Sequence, residues 1–200
     1  MWIESRFKHV VTVASLALIS VSSCRDVPVP KPRGYHRIAI PEPAYQTYSH
    51  PCGPAFDVPH YAKIELVVQG QSKEDCWFNV SIPHFKAKVH CSYIPLQSES
   101  HLQGMMEDGH KMVFAHEAKA TGIAAQRFDF PENNVSGLFY ELSGPVATPL
   151  QFVATDSTNH FLRGSLYFLH VPNPDSIAPA LEHVTKDVVH LIETLKWEAS

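Results

Sequence analysis

Four cysteines and thirteen histidines are the residues of this chain with the widest chemical range. A metal centre would need His, Cys or carboxylates at ligand spacing. There is no H-E-x-x-H and no paired C-x-x-C, and His116-Glu117 lacks a second histidine at the right distance. His183 and His190 are two helical turns apart, about 10 Å, which is too far to share one ion. No metal and no cofactor is therefore expected. Nucleophilic catalysis would need Ser or Cys beside His and a carboxylate, normally drawn from separate chain segments. Asp156, Ser157 and His160 lie close in sequence, but Asp-Ser-Thr-Asn between two apolar runs is turn chemistry. Phosphate-cradling Gly loops and G-x-S-x-G are absent. The chain reads as a non-enzyme.

Cys24 has a different context. Met1–His9 carries Arg6 and Lys8, and Val10–Val21 is apolar apart from Thr12, Ser15 and Ser20. Twelve residues of helix span about 18 Å, short of a bilayer core of about 30 Å. Residues 1–23 are thus a secretory signal rather than a membrane span. Val21-Ser22-Ser23-Cys24 resembles a bacterial lipobox, in which the peptidase cuts before a diacylated cysteine. Two or three acyl chains give a stable anchor where one does not. The net charge of −4 leaves no basic excess to displace phosphate counterions, so nucleic acid is not an expected partner.

In an exported chain Cys52 and Cys76 can pair. The bridge would close a loop of about 25 residues and stabilise by about 3 kcal/mol. The alternative leaves both reduced. Cys91 falls on the apolar side of its strand and is expected buried and inert.

These residues need elements to position them. Pro28, Pro30 and Pro32 alternate after Cys24, which favours an extended, stiff tether. Residues 24–60 read as that tether followed by an irregular stretch, pinned to the domain by Tyr45, Tyr48, Phe56 and Tyr61. Residues 61–200 read as a single domain. Alternation predicts strands over Cys76–Ile82 and Lys86–Ile94, then at about 123–130, 136–143, 149–155 and 160–169. A helix over His101–Ala118 carries Leu102, Met105, Met106, Gly109, Met112, Val113 and His116 on one stripe, expected in the core. A second helix follows, with Ile177, Leu181, Val184, Val188, Leu191 and Leu195 spaced 4-3-4-3-4 and Glu182, Lys186, Asp187 and Glu193 on its polar side. Asp175 or Ser176 can cap it, and Pro179 is tolerable in a first turn. It is expected to dock on the sheet rather than dimerise. The strand at 160–169 is apolar on both faces, so helices should cover both. Its Arg163 and Tyr167 either mark a contact surface or pair with the covering helix, the favoured reading. The order β-β-α-β-β-β-β-α implies an α+β fold on an antiparallel sheet, similar in topology to the Mog1/PsbP α-β-α sandwich.

Several strings resemble the gliding-motility lipoprotein GldD family of the Bacteroidetes. They include Pro30-Lys31-Pro32-Arg33-Gly34-Tyr35 after Cys24, Tyr61-Ala62-Lys63-Ile64, Cys76-Trp77-Phe78-Asn79 and Gly137-Leu138-Phe139-Tyr140. The most specific is Thr155-Asp156-Ser157-Thr158-Asn159-His160-Phe161-Leu162-Arg163-Gly164-Ser165, and Leu191-Ile192-Glu193-Thr194-Leu195-Lys196-Trp197 closes the series. The likeness covers the chain from Cys24 onward, with the spacer before Cys76 as a stretch of its own.

The resemblance implies an envelope lipoprotein required for gliding, acting without catalysis beside the gliding and type IX secretion proteins. It carries lipid attachment to Cys24 and the cysteine pair to Cys52 and Cys76. Asp156-Ser157-Thr158 and Asp175-Ser176-Ile177 resemble the O-glycosylation motif of that phylum, at Ser157 and Ser176. The charge after Cys24 is not acidic, so the domain is expected to face the periplasm. The competing function is a periplasmic module for a small ligand on the same scaffold, which would need a deep apolar pocket with convergent polar groups.

Overall fold

The computed structural model describes residues 41–42, 44–67, 76–169 and 174–197. Chain contacts separate residues 1–35 from residues 36–200, and all described residues belong to the second unit. Cys24 and the proline tether lie outside the described residues, as does the stretch 68–75.

The frame is a seven-stranded, wholly antiparallel sheet in the order β3-β4-β5-β9-β8-β7-β6. Its strands are β3 (Lys63–Val67), β4 (Cys76–Ile82), β5 (Ala87–Pro95), β6 (Gly122–Phe130), β7 (Val135–Ser143), β8 (Leu150–Thr155) and β9 (His160–Phe168). The six expected strands are all present, with tight connections that make sequence neighbours antiparallel neighbours. Lys86 and Asn134 leave the two 3-10 turns in the left-handed region, at φ 49° and 53°.

One face carries Phe78, Val80, Val89, Cys91, Phe152, Leu162 and Leu166, all buried. The helix α2 (Pro174–Glu193) lies on it, with Val184, Val188 and Leu191 in the same core. The other face receives α1 (Glu99–Phe114), capped by Ser98, whose hydroxyl accepts the His101 N–H at 3.2 Å. The result is an α-β-α sandwich, but the α1 face of β9 is covered only in part: Phe161 is buried, whereas Tyr167 and, just past the strand, Leu169 are exposed. Arg163 accordingly turns to α1, its guanidinium set against the Met112 sulfur. The methionine stripe departs from expectation. Only Gly109 and Val113 of α1 are fully buried, and Met112 is 46% exposed. The helix rests on β8 through Gly109, where a Cβ would come within 3.2 Å of Val153, while Met105 and Met106 stay half-buried.

Two glycines pin the register of the sheet. Gly164 pairs with Phe152 across β9–β8, and Gly137 pairs with Phe128 across β7–β6. At Gly164 the Phe152 ring occupies the space a Cβ would need, and at Gly137 the Val153 backbone carbonyl does so first, with the Phe128 ring behind it.

Residues 45–59, expected within an irregular segment, form a hairpin of β1 (Tyr45–Ser49) and β2 (Pro54–Pro59). The two-residue β10 (Lys196–Trp197) pairs with β2 on its other side, completing a three-stranded sheet. The hairpin is held because β2 is buried along nearly its whole length, with Phe56 stacked on Phe78 at 5.5 Å between ring centres. The structure also bonds Cys52, in the hairpin turn, to Cys76 at the start of β4, with Cα atoms 6.0 Å apart.

Candidate functional site

The densest polar cluster lies where the hairpin meets α2. Asp187 was expected on the polar side of that helix, but it is 3% exposed. The 3.6-residue period places it one position off the apolar stripe, and tertiary partners then decide its burial. Tyr45 Oη donates to one carboxylate oxygen at 2.9 Å, and Tyr61 Oη donates a short bond to the other. Tyr61 Oη also lies 2.9 Å from His183 Nε2. One turn on, His190 packs on the Tyr45 ring at 3.9 Å and sets Nε2 3.4 Å from Asp57. Asp57 accepts the Thr47 hydroxyl at 2.7 Å, and its N–H donates to Thr194 Oγ1 at 3.0 Å.

A buried carboxylate with two tyrosines and a histidine has the parts for proton transfer. Its arrangement opposes that use. Burial and the Asp187 carboxylate push Tyr45 up to about 12 and push Tyr61 further, so both phenols stay protonated at neutral pH. None of these residues lines the grooves described below. The cluster works as a clamp: it satisfies a buried charge and fastens the hairpin to the helix.

The Asp156 group is the second candidate. Asp156 Oδ1 accepts the N–H groups of Thr158, Asn159 and His160 at 3.0, 2.8 and 2.8 Å. Its Oδ2 accepts the Thr158 hydroxyl at 2.9 Å. Burial works against the ionised form, but these donors outweigh it and hold the carboxyl below the usual range. His160 meets Tyr93 Oη at 2.7 Å through Nδ1 and stacks on Trp197 at 5.2 Å. Ser157 sits at φ 67°, exposed at the tip, its N–H on Thr155 Oγ1. The carboxylate is spent on the backbone of its own turn, and the histidine on an aromatic neighbour. Ser176, the other candidate glycosylation residue, is exposed in the first turn of α2.

The remaining predicted residues are placed without chemistry. Cys91 is buried on the α2 face, and burial raises its thiol pKa. His116 Nε2 lies 2.9 Å from Thr148 Oγ1, away from the other histidines named above. Among the described residues no group of three His, Cys, Asp or Glu is disposed to hold a metal ion.

Open surface is found beside α2 instead. A groove of about 510 Å³ runs between the helix and the ends of β7 and β8, lined by Leu150, Ile177, Leu181 and Glu182 among others. A second, of about 230 Å³, lies between Val189 and Ile192 on the helix and Phe128 and Phe139 on β6 and β7. Both include Glu141 and Thr185, so they meet. A third recess of about 260 Å³, on the opposite face, is lined by Leu102, Met106 and Arg127. Periodicity alone did not reveal these, because a groove forms where one element stops covering another. No helix among the described residues is long and apolar enough to cross a membrane.

Compared with known proteins, no curated sequence matches the chain. Among solved structures, it is similar to the solution structure of cyanobacterial PsbP (CyanoP) from Synechocystis sp. PCC 6803. The TM-score is 0.49 and the identity 14%, covering 80% of this chain and 95% of that one. The family described as gliding motility lipoprotein GldD matches residues 25–197, nearly all of the sequence after Cys24. By that match the chain belongs to the GldD family of gliding motility lipoproteins.

Proposed function

We propose that this chain is a lipid-anchored envelope protein that supports gliding motility by binding neighbouring proteins and catalyses no reaction. Diacylated Cys24 moors it, and the body faces the periplasm beside the gliding and type IX secretion proteins. The observation that carries this reading is the distribution of polar groups. The Asp187 and Asp156 carboxylates are taken up by donors within their own clusters, whereas the accessible recesses beside α2 are mainly apolar. Buried groups satisfied internally stabilise a scaffold, and open apolar surface is what partners bury.

The test is Cys24→Ala expressed from the native locus, with fractionation and a motility assay. The expected result is a released protein and loss of gliding. A released protein that still supports gliding would overturn the anchoring requirement, and a purified wild-type body that turns over a substrate would overturn the non-catalytic role.

A further inference from the structure

This inference rests on the contact reading above and names the surface and the partner. The two recesses beside α2 meet at Glu141 and Thr185 and together follow a helix of 20 residues, about 30 Å long. Their lining is apolar at Phe128, Phe139, Leu150, Ile177, Leu181 and Val189. Three carboxylates, Glu141, Glu182 and Glu193, share this lining with one ammonium, Lys186, which lies 2.9 Å from Glu182. The groove is thus apolar with a net negative rim.

A second feature adjoins it. β6 is the last strand of the large sheet, and among the described residues nothing pairs with its outer edge. It is nine residues long and exposed along most of its length. Proteins usually blunt such edges with prolines, short strands or inward-pointing charges. β6 has no proline, and its charged residues, Arg127 and Asp129, alternate with Gln126 and Phe128 and so lie on the face away from the groove. Gln126 and Phe128 belong both to this strand and to the groove lining. A strand added to β6 would place alternate side chains over that lining.

We propose that the β6 edge and the α2 groove together bind an extended segment of a partner protein whose groove-facing positions, every second residue, carry both apolar side chains and Lys or Arg. On that face the apolar side chains enter the groove and the cations meet Glu141 and Glu193. The same carboxylates repel anionic lipid headgroups and acidic segments.

The test uses full-length lipidated protein in neutral detergent and two fluorescein-labelled twelve-residue peptides with Thr at every second position; at the positions between, one alternates Val with Lys and the other Val with Glu. Anisotropy titrations should show the Lys peptide binding at least ten-fold more tightly, with several-fold weakening between 0.05 and 0.5 M salt. The double variant E141K/E193K should reduce it to the level of the Glu peptide. Thr185→Trp, which fills the groove without changing its charge, should do the same if the double variant fails to fold. Equal binding of both peptides, binding unaffected by the variants, or no binding at millimolar concentration overturns the proposal.

In cells, a photo-crosslinker at Gln126 is compared with one at Trp77, on the other face of the sheet. Crosslinks from Gln126 to a segment rich in Lys or Arg support the groove. Crosslinks from Gln126 to a second copy or to a segment without cations overturn it, as do crosslinks from Trp77 alone, which leave the contact reading standing. Crosslinks from neither position overturn both.

Discussion

Replacing both Cys52 and Cys76 with serine should weaken the fold by an amount set by the loop they close. The two cysteines are 24 positions apart in sequence. In the chain-entropy relation a loop of about 25 residues costs the unfolded state about 12 cal/mol/K, or about 3.5 kcal/mol at 25 °C. For a body of this size each kcal/mol moves the melting temperature by about 2–4 °C, so the double variant should melt about 10 °C lower. The structure also says where the loss appears. The bridge ties the turn of the β1–β2 hairpin to β4, so residues 45–59 should gain amide exchange before the large sheet does. Differential scanning calorimetry and hydrogen exchange measure the two effects, using oxidised wild type as reference. A thiol titration in denaturant provides the control. A bridged chain acylated at Cys24 exposes only Cys91, and an unbridged one exposes three thiols. Three thiols in wild type, or equal melting temperatures in the oxidised protein and the double variant, would refute the reasoning.

Gly164→Val should destabilise by about 3 kcal/mol, because the Phe152 ring fills the place of the new side chain; urea unfolding measures this, and an unchanged midpoint contradicts the packing. Tyr45 and Tyr61 are both raised above the unfolded value of a phenol, so their contribution is fully present below about pH 10 and is lost as pH climbs through the folded values. The urea midpoint should therefore fall from about pH 10 upward, and Tyr61→Phe should flatten that fall; equal slopes would remove the Asp187 clamp as its cause. Ser157 and Ser176 are exposed, and protein purified from the native envelope should exceed its lipidated mass by sugar increments that Ser157→Ala and Ser176→Ala reduce. An intact mass without sugar ends that proposal.

The elements that periodicity exposed were those whose partners are one hairpin away. β4 and β5 alternate cleanly because one side meets α2 and the other is partly wet. The stripe on α2 likewise reflects burial of its face on a sheet. β2 was hidden because it is buried on nearly every residue and begins and ends in proline, so neither alternation nor composition marks it as a strand. β3 and β10 are short, five and two residues, and β3 is mainly exposed although Ile64 and Leu66 alternate with charges. The Asp187 clamp joins residues 142 and 126 positions apart, Tyr45 and Tyr61 reaching a helix at the far end of the chain. No local pattern records a contact of that span. The Asp156 turn, by contrast, is built within five residues, and its chemistry reads directly from their identity.

The placement of β2 between β1 and β10 has a temporal consequence. A strand near the start of the body obtains its second neighbour only when residues 196–197 arrive, and α2, which clamps the same hairpin, also comes late. A polypeptide threaded through a membrane from its amino end therefore lacks its closing pieces until almost the whole length has crossed. A chain cut short before α2 would lack both the helix and the β10 pairing that close over β2.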